Sequence, residues 1–87
     1  PTRFANAGQV CVTADRFYIH DRLHDAFVAG FVERARAIRL GDGIDPSVGM
    51  GPLINAGRVA EMERIVADAT RAGAPLARGG ARAAGFN

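Results

Sequence analysis

Cys11 is the single cysteine of the chain and sits in the stretch Phe4-Ala5-Asn6-Ala7-Gly8-Gln9-Val10-Cys11-Val12. Its neighbours are small or apolar, and no acidic residue falls within three positions of it. That setting suits a thiol reached by an electrophilic substrate, because the thiolate is the reactive form and nothing alongside opposes the charge. The competing reading is a small buried hydrophobe, since free cysteine is among the most buried residue types. One cysteine cannot form an internal disulfide, which fits a reducing compartment and a cytoplasmic location.

Other residue types that could do chemistry are sparse. His20 and His24 lie four apart beside Asp21 and Asp25, a spacing that on one helix could hold a metal. A helix boundary falls between them and no third ligand stands at a sensible distance, so they are read as surface histidines and no metal is expected. Asp42-Gly43 is no phosphate loop, since the chain has neither Gly-x-Gly-x-x-Gly nor a Gly-Lys-Ser/Thr motif. The three glutamates, Glu33, Glu61 and Glu63, fall in solvent-facing register on helices.

The elements that must position Cys11 follow from the pattern. Residues 1–14 are too rich in small residues for a helix interior and read as a packed loop, with Phe4 as an anchor. Arg16-Phe17-Tyr18-Ile19-His20 reads as a short strand, dense in aromatic and β-branched residues. Asp21 is a good N-cap for a helix running to about Arg39, whose apolar stripe is Leu23, Phe27, Phe31, Ala35 and Ile38. Gly41-Asp42-Gly43 opens a long link with a turn at Asp45-Pro46-Ser47 and a glycine-interrupted apolar run over residues 49–54. A second helix is expected from about Ala56 to Ala72, with Asn55 as N-cap and Gly73 at C′. Its buried face is Val59, Met62, Val66 and Ala69, with Ile65 beside them. Ala74-Pro75-Leu76-Ala77 begins a further strand and Arg78-Gly79-Gly80 is a turn.

The 87 residues allow one domain at most, of α/β class in the order strand, helix, link, helix, strand. Two amphipathic helices need a sheet to cover them, and the strand residues are too few to supply it. The chain is therefore expected to be part of something larger, and its end at Gly85-Phe86-Asn87 looks cut. No apolar run approaches the ~20 residues of a membrane span, and the opening Pro-Thr-Arg is without the short apolar core of a secretory signal. The charge of +2 is carried by arginines alone, and these alternate with acids. With one Tyr and no Trp to stack bases, the pattern reads as a solvated mixed-charge surface and not a nucleic-acid site.

The stretch from Phe4 to Cys11, the segment Arg16–His20, Gly41-Asp42-Gly43, the run Met50-Gly51-Pro52-Leu53-Ile54 and the late Gly79-Gly80 together resemble an aldehyde dehydrogenase of the NAD(P)-dependent superfamily. The resemblance covers residues 1–87 and is most similar to the succinate-semialdehyde type. It implies that the chain is part of the catalytic, thiol-bearing domain. Cys11 would then be the nucleophile, with its backbone N–H in the oxyanion hole, and Val10 and Val12 would line the substrate tunnel. The implied chemistry oxidises an aldehyde to an acid through a thiohemiacetal and a thioester, with hydride passing to NAD or NADP. The dinucleotide-binding domain, the general-base glutamate and the oxyanion asparagine of such enzymes would lie outside these residues. The resemblance also implies a homo-oligomer, dimer or tetramer. Thr13 departs from the residues usual two places after the nucleophile; where some members carry a second cysteine, Thr13 can form no disulfide. The alternatives are a non-catalytic remnant without the cofactor domain, and a CoA-acylating enzyme that uses the same cysteine.

Overall fold

In the computed structural model, residues 2–83 are described, so the terminal Gly85-Phe86-Asn87 lies outside the described residues. Helix α1 spans Asp21–Arg36 and helix α2 spans Ala56–Arg71, and a short, kinked 3-10 segment covers Thr2–Gly8.

Helix α1 starts one residue earlier than the side-chain pattern suggests. Its N-cap is His20, whose Nδ1 accepts from the Arg22 backbone N–H at 3.2 Å. Asp21 is the first helical residue instead of the cap, and its carboxylate still lies at the positive end of the helix dipole. The helix ends at Arg36, short of Arg39, because the backbone turns at Ala37 and Ile38 N–H bonds back to the Ala35 carbonyl.

Helix α2 is bounded as its sequence dictates. Asn55 Oδ1 accepts from the Arg58 N–H at 2.8 Å, satisfying one of the free donors of the first turn. At the other end Gly73 has φ +93°, where only glycine is unstrained. The Gly73 N–H bonds the Thr70 carbonyl and the Ala74 N–H bonds the Ala69 carbonyl, both at 3.0 Å, which is the paired closure of a Schellman motif. Along the outer face Arg64 holds Glu61 with two hydrogen bonds and Asp68 with one, and Arg71 closes on Asp68. The Arg64 guanidinium, chiefly by hydrogen bonding, keeps the Glu61 carboxyl below the usual carboxylate range. Val59, Met62 and Val66 form the half-buried side, while Ile65 and Ala69 are exposed.

The link between the helices is pinned rather than loose. The Gly49 and Met50 N–H groups both donate to the Arg39 carbonyl, and Gly41 N–H donates to the Met50 carbonyl, giving one isolated parallel bridge between Leu40 and Met50. Within the loop so closed, Asp45 accepts from both the Ser47 N–H (2.8 Å) and its hydroxyl (2.7 Å), which lowers the Asp45 pKa.

The expected strands are not formed. Residues 16–20 and 74–77 are irregular, so the order among the described residues is helix, link, helix rather than strand, helix, link, helix, strand. A strand exists only as one side of a ladder, and no segment among the described residues pairs with either stretch to complete one. Their aromatic and β-branched content is a preference for a half-buried pleated surface and does not supply the partner.

Packing is correspondingly open. No described residue is fully buried, and α1 and α2 do not pack on one another. Four phenylalanines cluster among the described residues. Phe31 of α1 meets Phe4 at 5.4 Å between ring centroids, Phe27 at 5.8 Å and Phe17 at 6.0 Å. The accessible surface is 7274 Å². A compact monomer of this mass exposes about 4,900 Å². The radius of gyration is 14.1 Å, against about 12 Å for a compact domain of the same length.

Candidate functional site

The cysteine loop leaves the Phe4 anchor through an unusual backbone path. After Ala5, three consecutive residues are left-handed: Asn6 at φ +50°, Ala7 at φ +57° and Gly8 at φ +82°. Gly8 adopts this freely and Asn tolerates it, but Ala7 carries a steric cost of about 1–2 kcal/mol. Such strain persists only where surrounding contacts over-determine it. Here they do. The Asn6 carbonyl accepts from both the Gln9 backbone N–H at 3.1 Å and Gln9 Nε2 at 3.0 Å, and Asn6 Nδ2 donates back to the Gln9 carbonyl at 3.3 Å.

Gln9 also reaches out of the loop. Its Oε1 accepts from the backbone N–H of Ile54 at 3.1 Å, across a sequence separation of 45 residues. The base of the loop is closed separately: Phe4 before it and Phe17 after it both rest on Phe31, and Arg3 Nη1 lies 3.7 Å from Asp15 Oδ1. The stretch carrying Cys11 is thus held at its two ends by α1 and at its middle by the link.

Cys11 itself is exposed and unpaired by any disulfide. Val10 is half-buried, while Val12 is 83% exposed. Two residues on, Thr13 Oγ1 is buried and has no hydrogen-bond partner among the described residues. An apolar groove of about 480 Å³ lies beside the loop, lined by Phe4, Met50, Leu53, Val59 and Met62 among others, and Cys11 is not among its lining residues. Its walls come from residues 3–8, the link, α2 and residues 80–83.

His20 and His24 do not converge. The first is engaged as the helix cap and the second lies beside Asp25, with Nδ1 to Oδ1 at 3.3 Å. No group of three or more metal-ligating side chains is gathered among the described residues. No helix among them is long and apolar enough to cross a membrane.

Sequence reasoning missed two positions: the cap role of His20 and the bridging role of Gln9. The signal for Gln9 was weak but present, a carboxamide two residues before the cysteine and three after Asn6, the spacing at which the two side chains exchange hydrogen bonds.

The family model described as "Aldehyde dehydrogenase family" matches residues 1–87. A probable NADP(+) succinate-semialdehyde dehydrogenase from Sinorhizobium fredii is 42% identical over 80 residues, which cover 92% of this chain and 16% of that protein. The NADP(+) succinate-semialdehyde dehydrogenase of Escherichia coli is 40% identical over 79 residues, again 16% of its length. Among solved structures, a 3,6-anhydro-L-galactose dehydrogenase in complex with NAP superposes with a TM-score of 0.91 at 41% identity, covering 98% of this chain and 18% of that one. The chain therefore spans about one sixth of the length of the curated relatives it matches.

Proposed function

The chain belongs to the aldehyde dehydrogenase family, and on that premise we propose that it is the nucleophile-bearing part of an enzyme that oxidises a small aldehyde, a semialdehyde first among them, to the carboxylic acid. The observation that carries the reading is the exposed Cys11 on a loop closed at both ends by one aromatic cluster and held at its middle by Gln9. A reacting thiol must be reachable, and its position must be fixed before substrate arrives.

In this reading Cys11 Sγ, as thiolate, adds to the aldehyde carbon. The carbon–sulfur bond forms as the carbonyl π pair moves onto oxygen, and the thiol proton leaves for a base outside this chain. The Cys11 backbone N–H donates to the oxyanion that develops. Val10 and Val12 flank the nucleophile as apolar walls of the substrate path, and neither offers charge recognition to the substrate. NAD or NADP would supply the hydride acceptor, held by residues beyond this chain. The NADP(+) in the names of two relatives supports NADP as the first cofactor to test. Residues 16–20 and 74–77 are proposed to find their ladder partners in the same missing portion, restoring the α/β layer. The family likeness also carries assembly into a dimer or tetramer in the cytoplasm.

The test is turnover of the full-length protein with succinate semialdehyde and other small aldehydes, using NAD and NADP. Cys11→Ala should lower kcat by at least about 10³-fold, as loss of a covalent nucleophile does. A Cys11→Ala enzyme that keeps a tenth of the activity would sink the role given to Cys11.

A further inference from the structure

Resting on the role of Cys11 given above, we propose that Gln9 is the positioning residue of the nucleophile, a carboxamide clamp that sets where the Cys11 backbone and thiol stand. The clamp has two jaws. Gln9 Oε1 accepts from the Ile54 N–H at 3.1 Å, tying the loop to the link, and Gln9 Nε2 donates to the Asn6 carbonyl at 3.0 Å, closing the left-handed turn. Both halves of the amide are used, one as acceptor and one as donor, so no side chain of the same length other than a protonated glutamate satisfies both.

The need for such a clamp follows from the backbone. Asn6, Ala7 and Gly8 occupy left-handed conformations that local preference does not maintain at Ala7. The aromatic cluster fixes Phe4 and Phe17, but these lie seven and six residues from Cys11 and leave the middle of the loop free to move. Gln9 is two residues from the thiol, and through it the loop bonds across 45 residues to the link. Because Ile54 enters through its backbone N–H while its side chain is exposed, the contact survives substitution of the Ile54 side chain and depends on Gln9 alone.

The experiment uses full-length enzyme carrying Gln9→Met and Gln9→Glu. Methionine keeps length and bulk but offers neither jaw. Its kcat should fall by about 10²-fold, the scale of an ångström-sized misplacement, while cofactor affinity and the melting temperature stay near wild type. Glutamate keeps the acceptor for Ile54 but can donate to the Asn6 carbonyl only when protonated. Its activity relative to wild type should therefore rise several-fold as pH falls from 8 to 5.5, a signature that a merely structural role would not give. If Gln9→Met proves insoluble, the Gln9→Glu profile decides alone. A Gln9→Met kcat within twofold of wild type, a pH-independent Gln9→Glu ratio, or activity lost only in step with cofactor binding and melting would each overturn the proposal. Cys11→Ala separates the two levels. If it still turns over, the nucleophile reading falls and this proposal with it; if it is inactive beside an undiminished Gln9→Met, the clamp alone is wrong.

Discussion

Expressed alone, residues 1–87 should not fold cooperatively, and the accessible surface sets the size of the deficit. The chain exposes 7274 Å², roughly 2,300 Å² more than a compact monomer of its mass. If somewhat over half of that excess is apolar, as on protein surfaces generally, the missing burial is worth on the order of 30 kcal/mol at about 25 cal/mol per Å², an upper figure because unfolded chains are partly compact. Net domain stability is only about 5–15 kcal/mol, so the deficit decides the outcome even if it is overstated twofold. The assay is urea titration of the isolated polypeptide followed by far-UV circular dichroism, with sedimentation to establish that it is monomeric. The expected result is a broad, non-sigmoidal loss of helix and amide exchange close to that of free peptides. A sigmoidal transition in a sedimenting monomer, extrapolating to more than about 3 kcal/mol in water, would refute the area argument.

Other predictions concern single contacts. In the full-length protein Phe31→Ala removes the hub on which Phe4, Phe17 and Phe27 all rest. It should cost about 3 kcal/mol by urea midpoint, from partial cavity loss and three aromatic pairs, with Phe31→Leu costing less than half of that; a loss under about 1 kcal/mol for Phe31→Ala would contradict the hub. In α2 the Glu61 pKa is lowered chiefly by its hydrogen bonds from Arg64. A lowered folded-state pKa means the stabilisation is fully present above the ordinary glutamate value, near 4.3, and is lost as pH falls through the folded value. The helicity of a peptide spanning residues 55–74 should therefore drop below about pH 4 and weaken in 1 M salt. Arg64→Gln should remove most of that pH dependence, and an unchanged titration would show that the ion pairs contribute nothing.

What the sequence made legible is what is local. The stripe positions Phe31, Ala35 and Ile38, the Asn55 cap and the Gly73 closure each act within about one helical turn, so neighbouring residues announce them. Leu23, at the other end of the α1 stripe, is exposed because nothing among the described residues covers it. The cap of α1 was misplaced by one residue for a similarly physical reason. Asp is the commoner cap, but a histidine with a free ring nitrogen can accept from the same N–H, and the His20-Asp21 pair fits either way until the backbone is seen. The strands failed because propensity describes one side of a ladder, and the other side is not encoded in residues 16–20 or 74–77.

The candidate site shows the same division more sharply. Cys11 stands out by type and setting, since a lone thiol among small residues is visible without any fold. What holds it is distributed: an aromatic at residue 4, another at 17, their common support at 31, and a backbone N–H at 54. None of these pairs is periodic, and a backbone donor has no sequence signature at all. The left-handed turn could have been suspected from Asn6 and Gly8, which favour such conformations, but Ala7 between them argues against it. That contradiction is itself informative. A local preference overruled at one residue, four positions before the lone cysteine, requires other contacts strong enough to overrule it, and the Gln9 carboxamide bonded to both Asn6 and Ile54 is where the structure provides them.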